Sequence, residues 1–210
     1  MADNVAALVR LMLVTDDALV AGRELVALAQ AAERGGVTSI QLRLKVAEPR
    51  QQVELTRTLV AALAIPVLVN DRPDIALAGG AAGVHLGPGD LPARLTRRIV
   101  PASFVIGVSA GSEGEALTGG DADYWGIGPW RTTTTKADAG AALGAAGFGR
   151  IRAMAGTRPC IAIGGVVPAD LQAVRSAGGY GVAVVSGILG GMDVEEHARS
   201  YADAWKASRA

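Results

Sequence analysis

The sequence holds a single cysteine, Cys160. An intrachain disulfide and a cysteine-rich zinc site are therefore excluded, and a reducing cytoplasmic setting fits. It has no excess of charge, since 20 Lys and Arg face 20 Asp and Glu. That balance speaks against a nucleic-acid partner and against docking on an anionic membrane surface. It has no long hydrophobic run. The longest, Leu59 to Val69, is interrupted by Pro66 and is too short to cross a bilayer. The N-terminus lacks the basic start and apolar stretch of a signal peptide. Aromatic residues amount to only 4%.

What remains is an apolar, small-residue chain. Half of the 210 residues are hydrophobic and 19% are charged, which excludes a disordered protein. Glycine supplies 28 positions and alanine 40. The length suits one large core, and no linker or charge block divides it, so residues 1–210 read as a single domain.

Short runs of Val, Ile and Leu alternate with Ala- and Leu-rich stretches. The short runs are Arg10–Thr15, Ser39–Arg43, Pro66–Asn70, Gly83–Gly87, Phe104–Ser109, Asp123–Gly128, Cys160–Gly164 and Gly181–Ser186. They are apolar almost throughout, the pattern of parallel strands buried on both faces. Between them, Asp17–Arg34 and Pro49–Leu63 have helical spacing. Pro73–Ala78, Pro92–Ile99 and Pro168–Ser176 open on proline, which suits a first helical turn. Eight strand–helix units predict an α/β fold, a compact (β/α)8 TIM barrel. An open doubly wound sheet is the alternative. No Gly-x-Gly-x-x-Gly follows the first strand, so a dinucleotide fold has little support.

In a barrel, the first functional candidates are polar residues at strand C-termini. After strand two, a two-residue period puts Gln41, Arg43 and Lys45 on one side and Leu42 and Leu44 on the other. Strand three ends in Asn70-Asp71 and strand four leads to Asp90. Each aspartate could cap a helix. Neighbouring barrel strands lie about 4.8 Å apart, so the two carboxylates could also share a hard cation such as Mg2+. Ser109 ends strand five. The long segment Pro129–Gly147 carries Thr132 to Thr135 and Lys136, hydroxyls beside a point charge. Gly164-Gly165 and Val185-Ser186-Gly187 follow strands seven and eight, where this fold binds phosphate on backbone N–H groups. Two anion sites emerge on one rim. One is cationic and suits a pyrophosphate; the other is neutral and suits a monophosphate.

At this point the chain resembles the thiamine phosphate synthase family from Leu11 to Ile188. The ordered blocks Gln41-Leu42-Arg43…Lys45, Asn70-Asp71, His85-Leu86-Gly87…Asp90 and Gly107-Val108-Ser109 carry the resemblance. So do Gly128-Pro129…Thr133…Thr135-Lys136…Asp138-Ala139-Gly140, Ile163-Gly164-Gly165 and Val185-Ser186…Ile188. The resemblance implies a transferase that joins an aminopyrimidine methyl diphosphate to a thiazole phosphate and releases pyrophosphate. It implies that Gln41, Leu42, Arg43, Leu44, Lys45, Asn70, Ser109 and Lys136 take the pyrimidine diphosphate. It assigns Asp71 and Asp90 to one Mg2+, and Thr133, Thr134, Thr135, Gly165, Val185 and Ser186 to the thiazole phosphate. Arg43, Lys45, Ser109 and Lys136 are the residues that would act on the reacting groups.

The sequence departs from the family pattern at Leu44, Pro88, Gly111, Trp130-Arg131-Thr132 and Gly187, and none of these departures removes a proposed metal or phosphate ligand. Arg131 offers an additional phosphate contact. A thiazole tautomerase-like isomerase and an inactive phosphate-ligand sensor are the competing functions. A homo-oligomer is left open. His85, Cys160, Trp125 and Trp205 read as packing residues, His197 as solvent-facing, and Trp130 as the one tryptophan placed to touch a substrate.

Overall fold

The computed structural model describes residues 2–117, 119–132 and 140–208. Its strands are β1 (Leu11–Val14), β2 (Ser39–Leu42), β3 (Val67–Asn70), β4 (Gly83–Leu86), β5 (Val105–Ala110), β6 (Tyr124–Ile127), β7 (Cys160–Ile163) and β8 (Gly181–Val184). All pair in parallel with their sequence neighbours, and β1 pairs with β8 to close the barrel. The register places Gln41 opposite Leu68 and Asn70 opposite His85. The predicted TIM barrel is the observed fold.

The helices are α1 (Ala2–Leu8), α2 (Asp17–Val20), α3 (Leu25–Arg34), α4 (Pro49–Ala62), α5 (Pro73–Gly79) and α6 (Ala93–Thr96). They continue with α7 (Glu113–Ala116), α8 (Gly144–Met154), α9 (Leu171–Ser176), α10 (Ser186–Leu189) and α11 (Val194–Ala207). A 3-10 turn, Pro168–Asp170, precedes α9. Helices α4 and α5 open on proline as expected, whereas Pro92 caps α6 from outside. The predicted helix over Asp17–Arg34 is broken in two. Ala21 ends the first piece by turning to ψ 127, and Gly22 follows in a left-handed conformation, φ +69, that a right-handed helix cannot contain.

The core has two layers. The outer one packs the helices on the barrel's outward strand residues, among them Leu42, Ile106, Trp125 and Cys160. The inner one fills the barrel with Met12, Val14, Leu68, Tyr124, Ile161 and Ala183. Val5, Leu8 and Val9 join that inner cluster. The sequence pattern missed α1, whose seven residues are too few for a helical period to emerge.

Five readings of single residues are settled by packing. Trp125 and Trp205 are buried, as expected, and burial pushes the Cys160 thiol up to about 12. His197 is corrected: it is half-buried against Gly191, where a side chain would overlap its ring. Trp130 is corrected too. It is buried, with its ring edge-on to Phe148 at 5.7 Å between centroids, and belongs to the outer core.

Candidate active site at the barrel mouth

A cavity of about 560 Å³ opens where the strands end. Gln41, Arg43, Lys45, Asn70, Asp71, Asp90, Ser109, Gly165, Val185 and Ser186 all line it. The alternation read from the sequence survives although β2 ends at Leu42. Gln41, Arg43 and Lys45 face the cavity, while the side chains of Leu42 and Leu44 lie in the outer core. Thr133, Thr134, Thr135 and Lys136 fall outside the described residues.

The segment after β2 is held by neighbours that the sequence reading did not single out. Thr15 Oγ1 accepts from Arg43 N at 2.8 Å and donates to Arg43 O at 3.0 Å. The Asp17 carboxylate accepts from Lys45 N at 2.9 Å. Asp16 caps α2 and pairs with the Arg43 guanidinium at 3.3 Å. The segment is therefore fixed by main-chain bonds, and the side chains of Arg43, already paired with Asp16, and of Lys45 both line the cavity. Beside it, Gln41 Nε2 donates to Asn70 Oδ1 at 2.7 Å. That bond leaves Gln41 one carbonyl oxygen and Asn70 its amide hydrogens.

Asp71 has φ +66, a conformation in which aspartate and asparagine are enriched among non-glycine residues. Its N–H is held by His85 O at 2.8 Å. It does not cap α5; Arg72 occupies that position. Asp90 accepts from Gly87 N at 2.6 Å, so it closes its own turn and does not cap α6. The two carboxylates come within hydrogen-bonding reach of each other. Burial, and then Asp90, push the Asp71 carboxyl up to about 6 against the opposing pull of Lys45 and Arg43. Such a pair carries a standing electrostatic cost that a proton or a divalent cation would relieve. The donors are hard oxygens, which fits Mg2+. Among the described residues no group of three or more His, Cys, Asp or Glu gathers to hold a metal. Water and phosphate would fill the remaining positions.

On the opposite side, Gly164 and Gly165 have φ +88 and +66. A Cβ on Gly165 would stand 2.9 Å from Arg131 Cβ and 3.1 Å from Thr132 O, so only glycine fits the turn comfortably. The expected extra phosphate contact from Arg131 is corrected. Its guanidinium is engaged with the Asp170 carboxylate through Nε at 2.8 Å and Nη2 at 2.5 Å. Its N–H binds Gly164 O at 2.9 Å. Arg131 thus ties the segment after β6 to the turn after β7. Leu143 N to Pro129 O and Gly144 N to Trp130 O bring the two ends of the long connection together, and α8 begins at Gly144, three residues before the predicted end of that segment.

Ser112 and Glu115 also line the cavity and went unrecognised. Ser112 caps α7 by accepting from Glu115 N at 3.2 Å, and Glu115 Oε2 accepts from Gly111 N at 2.8 Å. The signal was legible as Ser-x-x-Glu, a capping pattern at the head of a helix. It reports a helix start and carries no information about a cavity.

A closed parallel barrel with one polar cavity at its strand ends, two cations and a carboxylate pair on one side and a glycine turn on the other, defines a small-molecule barrel enzyme by class. The chain belongs to the thiamine monophosphate synthase family, which it matches over residues 11–188. A thiamine-phosphate synthase of Azorhizobium caulinodans is 43% identical over 204 residues, 95% of this chain and 96% of that protein. One from Syntrophomonas wolfei is 40% identical over 201 residues, 93% of this chain and 96% of that protein. Among solved structures, the thiamine phosphate pyrophosphorylase from Pyrococcus furiosus superposes with a TM-score of 0.86 at 31% identity. It covers 99% of this chain and 100% of its own.

Proposed function

We propose that this chain is a transferase that condenses an aminopyrimidine methyl diphosphate with a thiazole phosphate, giving thiamine phosphate and pyrophosphate. The observation that carries this reading is the Asp71–Asp90 carboxylate pair at the cavity that Arg43 and Lys45 also line. A thiazole isomerase needs one phosphate site and acid–base groups but has no use for two cations gathered beside such a pair as a diphosphate site.

The C–O bond between the pyrimidine methylene and the diphosphate breaks, and its electron pair leaves with pyrophosphate. The electron-rich aminopyrimidine stabilises the methylene cation, and the thiazole nitrogen lone pair then forms the new C–N bond. No protein nucleophile is required. The chain's work is to hold both substrates in one cavity and to neutralise charge on the leaving group. Arg43 presents a bidentate fork and Lys45 a point charge to the diphosphate, and Lys136 adds a third cation. Gln41 and Asn70 offer their unspent carbonyl and amide hydrogens to the pyrimidine. Ser109 hydrogen-bonds the same substrate. Gly165, Val185, Ser186 and Thr133 to Thr135 take the thiazole phosphate. Asp71 and Asp90 are the residues that would hold Mg2+, which when bound supplies Lewis-acid stabilisation of the leaving pyrophosphate.

No helix among the described residues is long and apolar enough to cross a membrane. The reading adds a cytoplasmic setting, where phosphorylated intermediates are retained. Purified protein with both substrates and Mg2+ should release pyrophosphate and thiamine phosphate in equal amounts. Failure to form thiamine phosphate, with isomerisation of a thiazole phosphate in its place, would reverse the assignment. Light scattering on the same preparation decides whether the working unit is one copy or a homo-oligomer.

A further inference from the structure

Two polar residues inside the barrel, Tyr124 and His85, have no part in the scheme above. Tyr124, at the start of β6, is fully buried among Met12, Leu68 and Ile161. Its hydroxyl lies 2.9 Å from His85 Nδ1, and His85 Nε2 lies 3.1 Å from Ser109 Oγ at the cavity. Glycines on β5 and β6 make the room. A Cβ on Gly107 would overlap the Tyr124 ring, and one on Gly126 would stand 3.1 Å from His85 Cε1. Apolar barrels seldom bury a tyrosine and a histidine without an electrostatic return, since each unpaired polar group costs stability.

The direction of the hydrogen bonds follows from the donors. Burial, then the charge of Asp123, holds the Tyr124 hydroxyl well above the ordinary phenol range, so it keeps its proton. That proton must be donated. The two acceptors beside it are His85 Nδ1 and the thioether of Met12 at 4.0 Å, and imidazole nitrogen is much the stronger. With Nδ1 accepting, Nε2 carries the ring hydrogen of a neutral imidazole and donates to Ser109 Oγ. One lone pair of the serine is then occupied, and the hydroxyl hydrogen turns away from the histidine.

We propose that Tyr124 and His85 are positioning residues that fix Ser109 as a hydrogen-bond donor into the cavity. Ser109 then recognises an acceptor atom of the pyrimidine diphosphate and rejects a donor at the same place. This rests on the assignment of that substrate to this cavity.

The tautomer is read first, without substrate, by 15N NMR of histidine-labelled protein. The His85 ring should show protonated Nε2 and bare Nδ1. A bare Nε2 or an imidazolium overturns the proposal. Kinetics then test the consequence. Tyr124→Phe frees Nδ1 to carry the hydrogen and lets Ser109 turn its proton inward. The KM for the pyrimidine diphosphate should rise roughly 3- to 10-fold with that for the thiazole phosphate unchanged. The same change in a Ser109→Ala background should be silent, and in a Ser109→Thr background it should act as in the parent. Additive losses in the Ser109→Ala background would mean that Tyr124 acts through packing, and would sink the relay. If Tyr124→Phe does not fold, His85→Gln takes its place in the same cycle. The expected tautomer in a protein that forms no thiamine phosphate would support the hydrogen-bond chain and defeat the proposed reaction.

Discussion

Asp71 and Asp90 reach the same point from the ends of two adjacent strands, β3 and β4, and their carboxylates come within hydrogen-bonding reach. Neither is spent on a helix cap. Asp71 is bent into a left-handed conformation to get there. Strain and repulsion concentrated on one pair, with only the Gly87–Asp90 turn as a structural return, are the marks of a site built for a ligand.

Asp71→Asn tests this without disturbing the backbone, because asparagine also tolerates positive φ. Mg2+-dependent turnover should fall by ~100-fold or more. The metal-free protein should become more stable at neutral pH. The sign follows from the folded carboxyl sitting at about 6 against an ordinary 3.8. The fold favours the protonated form, so its stabilising contribution is complete below the unfolded value and is lost as pH rises through the folded one. Thermal melts of the two proteins should coincide near pH 4 and separate by pH 7. Mg2+ should raise the Tm of the parent and leave that of Asp71→Asn unchanged.

Gly165→Ala tests the neutral side of the cavity. The left-handed backbone alone costs about 1–2 kcal/mol, and the new methyl would press on Arg131 and Thr132. Initial-rate kinetics should show a raised KM for the thiazole phosphate, with that for the pyrimidine diphosphate nearly unchanged.

The Arg131–Asp170 fork should matter more as an anchor than as a charge. Asp170 also accepts from Val167 N at 3.0 Å. Burial raises the Asp170 carboxyl, but Arg131 and the Val167 N–H outweigh it and hold the group below the usual carboxylate range. Its contribution is therefore present above the unfolded value and is lost as pH falls through the folded one. Asp170→Asn should lower Tm at pH 7, and the gap to the parent should close below about pH 4. Arg131→Ala should loosen the turn after β7 and raise the KM for the thiazole phosphate.

Trp130→Ala should separate packing from recognition. Removing this buried ring should cost about 3–5 kcal/mol in urea unfolding, while Trp130→Phe keeps most of the contact with Phe148. Unchanged KM values for Trp130→Phe would place the residue in the core alone.

The sequence by itself determined a parallel α/β fold of eight strand–helix units, because strands buried on both faces must be apolar throughout and parallel strands require a helix between them, whereas the pairing of β1 with β8 that closes the barrel is tertiary. It also determined which residues stand at the strand ends. The split between Gln41, Arg43, Lys45 and Leu42, Leu44 is a period-two pattern that any strand transmits directly. Helix α1 and the break at Gly22 were illegible, since both depend on contacts or dihedrals that a short pattern does not encode. Only the tertiary structure decided that Arg131 is spent on Asp170, that Trp130 packs on Phe148, and that Tyr124 reaches Ser109 through His85. The contacting pairs lie between 18 and 39 positions apart in the chain, and the packing of neighbouring strands and helices is what brings them within hydrogen-bonding or packing distance.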